Sequence, residues 1–561
     1  MKYPTLSLTA PLALVLSTGS LSASLFPQLD SYTGGAGSSE IVVHDRFQNS
    51  LYNVYGTRGA NNGVEIIDFA DPTNLTLSGV VDMSVINGLT AGSISSVSAD
   101  PLGRGFGVAT FIPLNSGTDK GRVVFFDPST KTVLHSVEVG YHPDMVRFSK
   151  DGTQIFVANE GEPISEGSNH FDRAGSVSVI DLSGIASKTD VAGLGSGQVA
   201  DYDFTDANLA PGVSLNGIRI NPSNATPGNL FKDVEPEYIT QSGNKLYVSL
   251  QENNALAELD LTSGKWTAIG SLGTIETLID ASDRDGGINI NDLIHGLPMP
   301  DTITSYTVGG KTYVLTANEG DSRPPDFVGS GHPLVGDDAR FSDLGSGGRP
   351  ALDPAVDAAL DALYGGNAQG SSALGRLTIS LTDGNLDADP DIEQPTAFGT
   401  RSFSIWDASD FSLVYDSGSD FETLTATLVP GLFNSDGTLT SFDTRSDNKG
   451  PEPEGVTVGR AYGRTLAFIG LERVGGVMVY DISDPNAPTF FDYFNTGERG
   501  AEGLEFIAAA DSPTGKPLLL VGYEVSGKVG VYTVVPEAGS VPAGLAMLGL
   551  AFGVWRRRVR A

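Results

Sequence analysis

Pairs of carboxylates recur along this chain at the two ends of what reads as a β-hairpin. Asp144 opens one such unit and Glu160 closes it. Glu237 pairs in the same way with Glu252, Asp301 with Glu319, Glu454 with Glu472, and Glu502 with Glu524. The strands of a hairpin run antiparallel, so the residue that starts the first and the residue that ends the second meet at one end. Carboxylates gathered in such numbers repel one another and need cations, hydrogen-bond donors or raised pKa values. Hard oxygen ligands suit Ca2+, or Mg2+ with retained waters. The pattern is equally satisfied if each glutamate caps backbone N–H groups within its own unit. His142 and His295 stand just before two of the units, and Arg58 and Arg323 are placed to face the same rim. These four are the possible contacts for a ligand.

A second, local candidate is the run Asp283-Arg284-Asp285-Gly286-Gly287-Ile288-Asn289-Ile290-Asn291-Asp292. Asp283, Asp285, Asn289 and Asp292 fit the later positions of an EF-hand or dockerin-type Ca2+ loop, with Gly286 at the sharp turn. Ala281 stands at the first ligand position and the last ligand is Asp, so a hydrogen-bonded turn fits the segment as well. Other chemistry is mostly absent. With no Cys there are no disulfides, thiolate nucleophiles or Cys-bound metals. Gly-x-Ser-x-Gly, His-Glu-x-x-His and Gly-x-Gly-x-x-Gly are absent. Gly310-Lys311-Thr312 lies in a hairpin turn and lacks the first Gly of a phosphate loop. The formal charge of −34 disfavours nucleic acid and anionic lipid and attracts cations.

The elements that must position the acids are short strands in a repeat. Glu454, a strand, a Gly463-Arg464 turn, a strand ending at Glu472, and a third strand Val477-Met478-Val479-Tyr480-Asp481 form the clearest copy. Four more begin at Asp144, Glu237, Asp301 and Glu502. Two degenerate copies lie upstream, over 41–68, with Arg58 where the others have Glu, and over 94–127, with neither acid. Seven units of three or four strands predict an all-β, seven-bladed β-propeller, or six blades if an end copy only caps the fold. In a propeller the first strand of each unit lines the central channel, so the acids are expected around its mouth. Long loop insertions are expected at 182–232 and 324–398. The second carries one short helix from Pro354 to Tyr364 with Asp353 as its N-cap.

The ends read differently. Residues 1–24 have the charge, apolar run and Ser22-Ala23-Ser24 small residues of a signal peptide. Val535-Pro536-Glu537-Ala538, an apolar run Val541–Trp555 and the Arg556-Arg557-Arg558-Val559-Arg560 cluster resemble a PEP-CTERM sorting signal, with Ala538 in place of the usual second Pro. That resemblance makes 537–561 a sorting helix and implies an exosortase as processing partner. An ordinary C-terminal membrane anchor is the alternative. Both place residues 25–536 outside the inner membrane of a Gram-negative bacterium, in the periplasm, on the outer surface or in a matrix.

His142-Pro143-Asp144, Ala158-Asn159-Glu160-Gly161, Ala317-Asn318-Glu319-Gly320-Asp321, Arg401-Ser402-Phe403-Ser404 and Gly450-Pro451-Glu452-Pro453-Glu454-Gly455 resemble the choice-of-anchor I family over roughly 28–536. The family is similar to mesenchyme-specific cell-surface glycoproteins of biomineralising animals. The resemblance implies a WD40/YVTN-like propeller and an extracytoplasmic location, and it carries no agreed catalytic residues. Two functions follow as expectations. One is a surface or matrix protein binding divalent cations and a polysaccharide or protein. The other is a Ca2+-dependent phosphoesterase, alkaline phosphatase- or phytase-like, using the same rim. A lactonase-like hydrolase with His142 or His295 as base is a third, weaker reading.

Overall fold

In the computed structural model, residues 25–35, 39–57, 60–166, 169–323, 336–387 and 389–536 are described. The signal-peptide and sorting-tail readings and Arg58 fall outside them. Among the described residues no helix is long and apolar enough to cross a membrane.

The middle strands of the repeat are almost wholly apolar, as in Leu518–Tyr523 and Arg464–Leu471, and are buried on both faces. Such strands need a sheet partner on each edge and a packed sheet on each face. The chain meets both needs with seven sheets, each holding a four-strand antiparallel run. Their first strands are Val42–Asp45, Val97–Ala99, Pro143–Phe148, Pro236–Ser242, Ile303–Val308, Pro453–Ala461 and Ala501–Ile507. Each of these neighbours the next in that order, and the last neighbours the first, so they form a closed ring about a channel. The sheets are numbered first to seventh by these strands. Closure is made by the two ends of the chain: Gln28–Thr33 is the outermost strand of the seventh sheet, hydrogen-bonded to Lys528–Thr533.

Every pair of neighbouring sheets encloses its own apolar layer. Trp266 packs with Phe156 and Leu246 between the third and fourth sheets, Phe403 with Tyr480 and Ile469 between the fifth and sixth, and Phe69 with Leu518 and Val531 between the seventh and first. Each buried large apolar side chain contributes about 1.5–3 kcal/mol, which accounts for a fold held without disulfides.

The propeller expectation therefore holds, and so does the helix: Pro354–Leu363 begins on Asp353, whose carboxylate accepts from Ala355 N at 2.9 Å and Val356 N at 3.1 Å. The insertions are more ordered than loops. Residues 182–232 supply the outer strand Val199–Asp203 of the third sheet. Ile275–Ile279, Asp292–Leu297, Thr396–Phe398, Thr378–Ser380 and Asp338–Arg340 build an additional five-stranded sheet outside the ring. A second helix, Asp420–Leu428, seats Phe421 against Phe403 and Tyr480.

Candidate functional site

One local device repeats where the acids emerge. The residue two places before the acid takes a left-handed backbone: His142 (φ 49°), Met299 (φ 42°), Glu452 (φ 52°) and Gly500 (φ 73°). At His142, Glu452 and Gly500 the carbonyl then accepts the N–H of the acid that closes the hairpin, while Met299 O accepts from Gly320 N at 3.1 Å. Glu160 N donates to His142 O at 2.9 Å, Glu472 N to Glu452 O at 2.8 Å and Glu524 N to Gly500 O at 2.8 Å. Next, the strand register slips. Asp144, Glu237, Glu454 and Glu502 all sit in β-bulges, between the paired residues Pro143 and Met145, Pro236 and Ile239, Pro453 and Val456, and Ala501 and Leu504. A bulge re-aims a side chain that the pleat would otherwise send elsewhere. The glycines that follow let neighbouring sheets close in. A Cβ on Gly455 would lie 1.9 Å from Glu502 O, and one on Gly503 would lie 2.2 Å from Glu40 O.

The result is a crowd of carboxylates at one end of the channel. Oxygens of Asp144, Glu160 and Glu237 lie within 4.8 Å of one another, as do those of Glu160, Glu235 and Glu252, of Asp301, Glu319 and Glu454, and of Glu319, Glu452 and Glu472. Burial, reinforced by the neighbouring charges, pushes the carboxyls of Glu160, Glu237, Glu252, Asp301, Glu454 and Glu502 well above the usual range. For the same reasons Glu40 and Glu472 rise to about 8 and Glu235 to about 7. Asp144, buried but relieved by His142, rises only to about 6.

Protein cations are spread unevenly over this rim. On the side of the fifth and sixth sheets, Lys449 Nζ is 2.5 Å from Glu319 Oε1 and 3.9 Å from Glu452 Oε2. Arg473 reaches Glu452 at 2.9 Å and Glu472 at 3.0 Å, and Arg445 also pairs with Glu452. Burial alone would raise the Glu452 carboxyl, but these three cations outweigh it and bring it down to about 2. On the side of the third and fourth sheets the compensation is thinner. Arg323, 3% exposed, gives Nη2 to Glu235 at 2.9 Å and lies 3.2 Å from Asp233, while its Nε and Nη1 have no partner among the described residues. Glu252, 6% exposed, has an Oε2 with no donor among the described residues, as does Glu454 Oε2 on the other side. His142 Nδ1 lies 2.9 Å from Glu160 Oε2 and 3.2 Å from Glu162 Oε2 without hydrogen-bond alignment.

Thus the rim acids expected from sequence lie at the channel mouth, joined by residues the repeat did not flag. Glu40 escaped notice because the first copy is degenerate, yet it precedes Val42 by the same two residues that separate Glu454 from Val456. Glu235, Glu452, Asp321 and Lys449 come from loops that no hairpin pattern reaches. The second sheet has no acid here; Ser95 Oγ instead donates to Pro143 O at 2.8 Å and Ser96 Oγ accepts from Val146 N at 3.2 Å, tying that strand to its neighbour.

One expected placement is corrected. His295 sits on Asp292–Leu297 in the additional sheet, opposite Glu276 in register and 3.7 Å from its carboxylate, because the strand before Asp301 turns outward. The Asp283–Asp292 run is a hydrogen-bonded turn whose acids face protein donors. Asp283 accepts from Arg376 Nε at 2.6 Å, and Asp292 from Tyr364 OH at 2.5 Å and Ala281 N at 3.1 Å. Asp285 faces Gly287 N at 3.4 Å, and Asn289 N donates to Asp280 Oδ2 at 2.7 Å.

The choice-of-anchor I domain model matches residues 40–485, which include six of the seven inner strands and their acids. The chain belongs to the choice-of-anchor I domain family. It is similar to the mesenchyme-specific cell surface glycoprotein of Strongylocentrotus purpuratus, 29% identical over 246 residues, 40% of this chain and 31% of that protein. It is also similar to gigasin-3a of Magallana gigas, 29% identical over 189 residues, 30% of this chain and 66% of that one. The choice-of-anchor I chain thus spans about a third of the first relative's length and just under two thirds of the second's. Among solved structures, Kuenenia stuttgartiensis hydrazine synthase aligns with a TM-score of 0.45 at 13% identity, covering 91% of this chain and 98% of that one. A mitotic checkpoint complex chain aligns at 0.43 and 8%, covering 94% and 100%.

Proposed function

We propose that this protein is an exported β-propeller of the cell surface or extracellular matrix that binds divalent cations, Ca2+ first among them, at its acidic channel mouth. The observation that carries the reading is Glu252 Oε2. It is a buried carboxylate oxygen with no donor among the described residues, set among Glu160 and Glu235, where the described protein cations are too few to balance the charge. A buried acceptor without a partner costs about 1–3 kcal/mol, and an all-oxygen cluster of this kind fits a hard cation, with water completing the 6–8 ligands Ca2+ takes. The surface location rests on the extracytoplasmic location that the family resemblance implies, the cell-surface name of the sea-urchin relative, the N-terminal signal pattern and the tail, which would be handed to an exosortase. A cation-loaded rim would in turn hold an acidic polysaccharide or protein partner.

A Ca2+-dependent phosphoesterase is the second reading, favoured by Nε and Nη1 of Arg323, which have no partner among the described residues and lie beside the carboxylates. One preparation tests both. Calcium titration of the metal-stripped protein, followed by phosphomonoester and phosphodiester assays on the loaded sample, should show binding that Glu237→Gln and Glu252→Gln weaken at least tenfold, without phosphate release. Phosphate release lost in Arg323→Met would establish the second reading. No binding at millimolar calcium would overturn both.

A further inference from the structure

Glu160 is shared among three ligand groups at the rim, a fact that bears on how many ions are held. It belongs with His142 and Glu162, with Glu235 and Glu252, and with Asp144 and Glu237, each group drawn within 4.8 Å. One of its oxygens, Oε2, is the atom facing His142 Nδ1 at 2.9 Å. A carboxylate has two oxygens and commonly bridges two ions, one on each.

We propose that Glu160 bridges a two-cation centre: one ion held by Glu160, Glu235 and Glu252, the other by Glu160, Glu162 and His142. The inference rests on the cation-binding reading above and adds stoichiometry, ligands and metal type. Three features support it beyond the cluster of acids. Glu252 Oε2 is buried and unpartnered within the first group. In the second group, the imidazole nitrogen faces two carboxylate oxygens at 2.9 and 3.2 Å without forming a hydrogen bond to either, the arrangement of ligands that converge on a common ion. His142 is also held in a left-handed conformation, costly for a non-glycine residue, while its carbonyl fixes Glu160 N. The backbone thus locks the imidazole and the bridging carboxylate together.

The two positions differ in ligand chemistry. The Glu160–Glu235–Glu252 position is all oxygen and suits Ca2+. The position with His142 has one imidazole, which favours Mn2+, Fe2+ or Zn2+ over Ca2+. The opposite half of the rim is not equivalent, because Lys449, Arg473 and Arg445 already stand among its carboxylates.

The test uses the purified protein stripped of metal and loaded with Mn2+ alone, which fills either kind of position and reports by electron paramagnetic resonance. Two Mn2+ per chain with an exchange-coupled spectrum are expected. Glu160→Gln should abolish the coupling and leave at most one ion, with an unchanged far-UV circular dichroism spectrum. His142→Ala should weaken one Mn2+ tenfold or more while leaving one Ca2+ bound, and it serves as the milder variant if Glu160→Gln misfolds. One uncoupled Mn2+ per chain, or coupling that survives in Glu160→Gln, would overturn the bridged centre while leaving cation binding at the rim intact. Binding of neither Mn2+ nor Ca2+ would remove the underlying reading as well.

Discussion

Raising the pH in the presence of a chelator should destabilise this fold, and the structure sets the size of the effect. Glu40 is half-buried and Glu472 buried at the rim, and desolvation there, with neighbouring acids, raises both carboxyls to about 8. In the unfolded chain they return to about 4.3. Between these values the folded state holds a proton that the unfolded state has lost. Their stabilisation is therefore complete below the unfolded pKa and drains away as pH climbs toward 8. Each group changes stability by about 1.36 kcal/mol per pH unit, which comes to about 1.5 kcal/mol each between pH 6.5 and 8. Together they contribute roughly 3 kcal/mol, and the more strongly raised acids steepen the slope. The window is chosen to exclude opposing groups. His44, which burial depresses to about 4, favours the folded state increasingly as pH rises, but only up to its unfolded value near 6.5. Asp127, Asp407 and Asp481 are held below the ordinary range by Lys188, Lys311 or Arg464 and nearby N–H groups, and they have finished ionising well before the window opens. At about 2.1 cal/mol/K of unfolding entropy per residue, a domain of roughly 500 residues shifts about 1 °C per kcal/mol. Calorimetry in EGTA should thus show Tm falling by about 3 °C or more from pH 6.5 to 8, and saturating calcium should flatten the fall. A Tm that is constant or rises across this window in EGTA would refute the reasoning.

Three further outcomes follow from single contacts. Lys449→Met leaves Glu319 without its cation and weakens the set around Glu452, so chemical denaturation should report a loss of about 3 kcal/mol, with the acid limb of unfolding moved to higher pH. Gly455→Ala drives a Cβ to within 1.9 Å of Glu502 O, and a loss of about 3 kcal/mol with weakened cation binding is expected from denaturation and calcium titration. Asp353→Ala removes the cap of the Pro354–Leu363 helix, which packs on the additional sheet, and should cost about 1 kcal/mol in the same denaturation assay with calcium affinity unchanged.

The sequence was most legible where the physics repeats. Apolar middle strands such as Leu518–Tyr523, each closed by a glutamate, identify the blades because every blade must bury both faces of the same kind of strand. The capped helix was readable from Asp353-Pro354 alone. What escaped comes from places where the period breaks. Glu40 belongs to a copy whose other acid is replaced, and Lys449 arrives from a long insertion that no repeat register predicts. His295 looked like a companion of Asp301 in sequence, but a crossover into the additional sheet carries it outward. In the Asp283–Asp292 run, arginine, tyrosine and backbone donors reach oxygens of the acids that the ligand-like spacing singles out, which the spacing alone does not reveal. Conversely, the unevenness of the rim, with Lys449, Arg473 and Arg445 on one side and Arg323 on the other, is a property of three-dimensional placement and leaves no trace in spacing.

The most direct test of the central claim is calcium titration by isothermal calorimetry of the metal-stripped protein, paired with metal analysis of the dialysed sample. Saturable binding that is weakened at least tenfold by Glu252→Gln is the predicted result. Binding that is absent at millimolar calcium, or indifferent to Glu252→Gln and Glu237→Gln, would contradict it and leave the acidic rim as structure.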